Sequence, residues 1–177
     1  MVLFEPELWH VRALTRYKRA LAKAKKKEKK QQLLALYTRD CAQIASLEKL
    51  INWCDSHGIT VNFCKLEAGI FYPQENLVKI SGRLSPESQF FCLLHECGHY
   101  LIGNREKHQR YGMGYQQQDP NIMRTFHHKC DIVEEEMEAW HRGAKLAARL
   151  GIEIDKARFD KDRTTCLRSY MRWALRA

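Results

Sequence analysis

The sequence predicts an α+β fold in one domain: a small antiparallel sheet set between helical segments, with one buried helix at its centre. Three observations carry this. Three short runs rich in β-branched and aromatic residues are separated by turn residues, the apolar residues before and after them recur at helical spacing, and a Ser-Pro-Glu start precedes a stretch that is apolar on every side. The 177 residues suit a single domain, and 45% hydrophobic with 29% charged residues is the composition of a globular chain.

In chain order, Leu8, Val11, Leu14, Tyr17 and Leu21 line one face of a helix expected from Glu7 to Tyr37, uninterrupted by Gly or Pro. Thr38 or Asp40 is placed to cap a second helix reaching about Asp55, with Ile44, Leu47, Leu50, Ile51 and Trp53 as its apolar face and Gly58 beyond its end. Ile59–Phe63, Gly69–Tyr72 and Leu77–Ser81 are the three strands, the last two joined through Pro73-Gln74-Glu75-Asn76. Ser85-Pro86-Glu87 then starts the buried helix: an N-cap, a proline in the first turn and an acid at the positive end of the dipole. It is expected to stop at Gly103. The polar segment from Asn104 to Lys129 is a candidate lid, a further helix runs from about Cys130 to Leu150, and a last amphipathic helix spans about Thr164 to Leu175.

The net charge of +9 is unevenly spread. Residues 1–30 hold ten Lys and Arg against three Asp and Glu, residues 156–177 hold seven against two, and the middle holds 13 against 16. A mildly acidic centre thus carries basic ends, where an acidic partner would be met. No apolar run is long enough to cross a bilayer, and the start carries acids where a secretory signal needs bases, so a cytoplasmic location without membrane contact is expected. Seven cysteines without a C-x-x-C pair are neither a disulfide framework nor a zinc ribbon, and are read as reduced.

Chemistry concentrates in His95-Glu96-Cys97-Gly98-His99, the H-E-x-x-H spacing. Two imidazoles four residues apart share a helix face and can reach one tetrahedral zinc, while Glu96 faces the fourth, water-occupied position as general base. A catalytic zinc needs a third protein ligand, and Glu134-Glu135-Glu136-Met137-Glu138 offers four. Glu136 neighbours Ile132, Val133, Ala139, Trp140, Gly143 and Ala147 at helical spacing, and a carboxylate in so apolar a stripe needs a cation. Glu134 and Glu138 fall among charged neighbours, and Glu135 lies at the edge as second choice. Ala139 and Gly143 would let this helix approach Gly98 closely. His127, His128, His141, Tyr100 and Tyr115 remain open as oxyanion donors, and His127-His128 lacks the partners of a second metal site.

Strand, turn, strand, then His95-Glu96-x-x-His99-Tyr100, then Glu136-x-x-Ala139 resembles the ImmA/IrrE group of zinc metallopeptidases, within the gluzincin class, over roughly residues 51–150. In place of the group's usual Asn and Phe-Ala after that alanine, this chain has Trp140, His141, Arg142 and Gly143. The resemblance implies a zincin-like core at 58–155, and the charge and helical patterns add a basic helical region at 1–57 and a basic helix at 156–177 packed on the core. The resemblance also implies His95, His99 and Glu136 as ligands of Zn2+, Glu96 as the catalytic residue, and a zinc metalloendopeptidase acting on a protein substrate such as a regulatory protein. In that class the substrate adds to a sheet edge beside the active helix, here expected at Leu77–Ser81. The alternative is a nucleic-acid-binding or regulatory module with a structural or idle zinc site, motivated by the basic stretch Arg12 to Lys30; no helix-turn-helix pattern supports sequence-specific reading.

Overall fold

The computed structural model describes residues 6–24, 26–65 and 69–176. Its elements are α1 (Pro6–Lys23), α2 (Lys27–Ser56), β1 (Thr60–Cys64), β2 (Ile70–Tyr72), β3 (Leu77–Ser81), α3 (Pro86–Arg110), the single turn α4 (Pro120–Met123), α5 (Phe126–Arg149) and α6 (Lys156–Ala174). None of these helices is long and apolar enough to cross a membrane.

The break between the first two helices falls near Ala24, earlier than the expected caps at Thr38 and Asp40. Thr38 sits inside α2, its hydroxyl donating to the Leu34 carbonyl at 3.0 Å. Asp40 accepts instead from the Tyr17 hydroxyl at 2.7 Å, and Tyr17 packs edge-on against Tyr37 at 5.5 Å, so α1 folds back along α2. The lysines between Lys23 and Lys30 would repel one another at helical spacing, and the turn falls where they crowd. Lys26, Lys27, Lys29 and Lys30 are exposed. The far end of α2 belongs to the main core through Leu47, Leu50 and Cys54. It exits through Gly58, whose φ of 69° is the left-handed conformation that closes a helix cheaply only at glycine.

All three strands form, but the sheet is mixed, not antiparallel. Its order is β1-β3-β2; β1 runs parallel to β3, Thr60 opposite Leu77, and β2 antiparallel to it, Tyr72 opposite Leu77. The expected edge, Leu77–Ser81, is therefore the central strand. Val78 and Ile80 are the fully buried apolar pair of the sheet, and a strand seated that deep needs a neighbour on each side to pair its backbone groups. The edge bordering the pocket described below is β2.

Helix α3 starts as expected, with Ser85 Oγ accepting from the Ser88 amide at 3.2 Å. Phe90, Phe91, Leu93, Leu94 and Cys97 tie it into the core. Gly103 (φ 70°, ψ 152°) kinks the helix without ending it, and a second stretch runs on to Arg110. That polar stretch is pinned by α5: Arg142 donates to the Leu101 carbonyl and to Glu106, both at 2.6 Å. The candidate lid is thereby shortened to residues 111–125. Thr125 accepts from the His128 amide, so α5 begins at Phe126 and carries His127 and His128 within its first turn. Asp155 caps α6 in the same way, eight residues before the expected start, and Phe159 sets the helix edge-on against Phe91 (5.4 Å) and Trp140 (5.3 Å).

The approach of α3 and α5 is as close as the small residues predict. A Cβ added at Gly98 would stand 1.9 Å from the Ala139 carbonyl oxygen, and one at Gly143 would stand 2.4 Å from that of Leu94. Both obstacles are backbone and cannot rotate away. We expect Gly98→Ala to force the helices apart and destabilise the fold by about 1–3 kcal/mol or more. Thermal unfolding followed by circular dichroism checks this; a variant that melts with the wild type would show that the contact is not tight.

Candidate metal centre

The crossing of α3 and α5 brings the polar groups of two buried helices together at the floor of a pocket of about 1040 Å³, walled by β2 and its following turn and by α6. His95, Glu96, His99, Glu135 and Glu136 are all buried. His95 and His99 project from one face of α3 with ring centroids 4.7 Å apart. His95 Nε2 lies 3.0 Å from Glu136 Oε2, and His99 Nε2 lies 3.3 Å from Glu136 Oε1. One carboxylate from α5 thus faces both imidazoles, one oxygen to each.

The surrounding contacts hold this arrangement. Trp140 stacks on the His95 ring at 4.7 Å. His99 Nδ1 is 3.2 Å from Glu135 Oε1, and the same oxygen is 3.0 Å from Lys107 Nζ, so His99 is oriented by a carboxylate that a buried lysine holds in turn. The Tyr115 hydroxyl donates to Glu136 Oε1 at 2.6 Å. Cys166 of α6 completes the wall: one ligand atom each of His95, Glu136 and Cys166 lie within 4.8 Å of one another. Glu96 turns towards β2, where Gly69 passes so close that an added Cβ would stand 2.9 Å from its Oε1.

Burial opposes charge on His99, yet its hydrogen bonds to Glu135 and Glu136 prevail and hold it up at about 9. Glu136 shows the converse: burial works against its charge, and both histidines hold its carboxyl well below the usual carboxylate range. Glu135 is likewise held low against burial by His99 and Lys107. Burial dominates at Glu96 and lifts its carboxyl, against the pull of His95 and His99. Burial and the Glu136 carboxylate push the Cys166 thiol up to about 11. Burial and Glu96 push that of Cys92 up to about 12.

No protein-family model, curated protein or solved structure matches this chain. The donor set has a chemistry of its own. Imidazole and carboxylate, both buried, with a half-buried thiol suit a borderline-soft divalent ion. Glu136 Oε2 is buried with only the His95 ring nitrogen beside it, at 3.0 Å, a poorly satisfied state for a carboxylate oxygen that a cation relieves. His/Glu/Cys side chains that can hold a metal ion are thus together at the pocket floor.

Of the residues singled out from the sequence, His95, Glu96, His99 and Glu136 are gathered at this floor. His99 stands against the second oxygen of Glu136, outside the tight group that His95 and Glu136 form with Cys166. Glu134 is exposed, and Glu138 is paired with Arg142 at 2.8 Å. Glu135, placed by its spacing at the helix edge, is buried on His99 and Lys107. Among the five residues left open as oxyanion donors, Tyr115 alone lines the pocket. Tyr100 points to the His57 carbonyl at 3.4 Å, His128 is buried against the Met113 carbonyl at 2.6 Å, and His127 and His141 are exposed.

Lys107 and Cys166 carry no role in the sequence reading. Lys107 stands four residues before the buried Tyr111, and Cys166 stands seven after Phe159 and four before Tyr170, so helical spacing alone sets each on an inward face.

Proposed function

We propose that this pocket is the active site of a zinc-dependent peptidase. One observation carries the reading: two imidazoles of a buried helix converge on one buried carboxylate, an oxygen to each, while the acid following the first imidazole lines the same pocket. The likeness to the ImmA/IrrE metallopeptidases noted above agrees with it. His95, His99 and Glu136 would hold the ion, with Glu135 and Lys107 fixing the His99 ring. Bound there, zinc supplies a Lewis acid that polarises a carbonyl and acidifies water.

Glu96 then acts as the base, accepting the proton of the attacking water and delivering it to the leaving amine. The Tyr115 hydroxyl is placed to donate to the oxyanion once a substrate carbonyl competes with Glu136 for it. An extended peptide would add to the free edge of β2, which runs along the pocket through Ile70 and Phe71. The exposed lysines where α1 turns into α2 lie on the solvent side and are available to an acidic partner, such as nucleic acid, without entering this chemistry.

Incubating zinc-loaded protein with a peptide library, with and without a chelator, tests the reading. The expected result is cleavage that the chelator stops and zinc restores. Cleavage unaffected by the chelator, or none with zinc bound, would leave a regulatory module with an idle metal site as the better account.

A further inference from the structure

The two histidines and Glu136 leave unexplained the thiol that α6 brings to the same point. Cys166 shares with His95 and Glu136 the tightest set of donor atoms in the described residues, all within 4.8 Å. Glu136 brings to it a carboxylate only 1% exposed, whose Oε2 has the His95 ring nitrogen 3.0 Å away as its one polar neighbour among the described contacts. Such an oxygen, with an imidazole nitrogen 3.0 Å away and a sulfur within reach, marks a cation position that the thiol shares.

We propose that Cys166 is a fourth protein ligand of the metal, so that α6 closes the coordination position a hydrolytic water needs. The assignment rests on the metal reading of the pocket and deepens it. Catalytic zinc sites keep one position for water, whereas four protein ligands close the site. A thiolate is also the strongest zinc ligand of this set, and a coordinated thiol is deprotonated outright, its proton passing to solvent. The resting site is therefore closed, and hydrolysis requires Cys166 to withdraw.

That withdrawal falls to the Cys166 side chain, because α6 is docked at both ends. Phe159 is its one buried residue among those described, wedged against Phe91 and Trp140 seven positions from the thiol. Its polar ties to α3 are the Arg158–Glu87 pair at 3.1 Å and a long Ser88–Asp162 hydrogen bond at 3.5 Å. Beyond Cys166 the helix carries Met171, Trp173 and Leu175 to the surface. At that end α6 is tied to α5 again, by the hydrogen bond from Lys129 to the Arg176 carbonyl and by Trp173 against His128 at 6.1 Å, so the thiol withdraws by turning its own side chain while the helix stays docked.

Cobalt provides the test, because a thiolate bound to Co(II) adds a strong near-ultraviolet charge-transfer absorption that imidazole and carboxylate do not. We expect the cobalt-loaded wild type to show it and Cys166→Ala and Cys166→Ser to lose it. Cys92→Ala, which removes the other thiol lining the pocket, should keep it. Both Cys166 variants should still bind cobalt and zinc through the three remaining ligands, at least about a hundredfold more weakly, as the loss of one ligand costs. Zinc-loaded Cys166→Ala should hydrolyse peptides faster than the wild type.

A chain that takes up one cobalt without the absorption, or an absorption that survives Cys166→Ala, overturns this assignment while leaving the other ligands standing. Slower hydrolysis by fully loaded Cys166→Ala overturns the closed resting state. A wild type that binds neither cobalt nor zinc overturns the metal reading and this assignment with it.

Discussion

Glu136→Ala should strip the metal from the purified chain. Wild-type protein dialysed against metal-free buffer is expected to retain about one zinc per chain, and the variant almost none. Zinc held by a few protein ligands is worth about 10–16 kcal/mol, so losing one of them costs several kcal/mol, at least a hundredfold in affinity. Glu136 is the ligand that joins the two imidazoles, since its oxygens lie 3.0 and 3.3 Å from them. Without it, two neutral histidines on one helix turn and the half-buried Cys166 thiol are left to hold a divalent cation. His95→Ala and His99→Ala should behave alike.

Glu135→Ala should keep the metal but bind it about 10- to 100-fold more weakly, because it frees the His99 ring that Glu135 and Lys107 orient. Glu138→Ala should change nothing, as its partner is Arg142 on the outer face. Metal analysis of the five variants decides, with circular dichroism to show that each is folded. Zinc kept by Glu136→Ala and lost by Glu135→Ala or Glu138→Ala would overturn the ligand choice.

The contrast among these glutamates shows what a one-dimensional pattern can and cannot carry. The inward face of Glu136 is legible in the sequence because its helical neighbours are apolar, and that is a local property. The depth of Glu135 is not, because it comes from Lys107, which lies beyond the Gly103 kink in a stretch whose polarity reads as a loop. The strands are legible one by one from their residue types. Their pairing is not, since nothing in Leu77–Ser81 states that β1 and β2 will flank it; that depends on how the crossing between them packs against α3. The same holds for the helix break near Ala24, which a contact between Tyr17 and Asp40, 23 residues apart, helps to settle. Cys166 follows Glu136 by 30 positions, and only the docking of α6 through Phe159 brings its sulfur to the carboxylate.

Glu96→Gln is expected to leave fold and zinc in place and to remove hydrolysis. The amide has the shape of the acid and stays neutral in a site where burial already disfavours the charge, so the variant should melt no lower than the wild type. It still fills the space against Gly69 and Cys92, where the backbone leaves no room for a rearranged side chain. What it cannot do is accept a proton from water and hand it to the leaving amine, and loss of a positioned acid-base group costs roughly 10²–10⁴ in rate. Turnover of a cleaved peptide should be followed with equal zinc in both proteins, in the wild-type background and again with Cys166→Ala, so that a closed resting site cannot hide the difference. A Glu96→Gln variant that cleaves as fast as its parent in both backgrounds would remove Glu96 from the chemistry. If neither parent cleaves any peptide although zinc is bound, the peptidase reading falls, and the buried cluster is a structural metal site joining α3, α5 and α6.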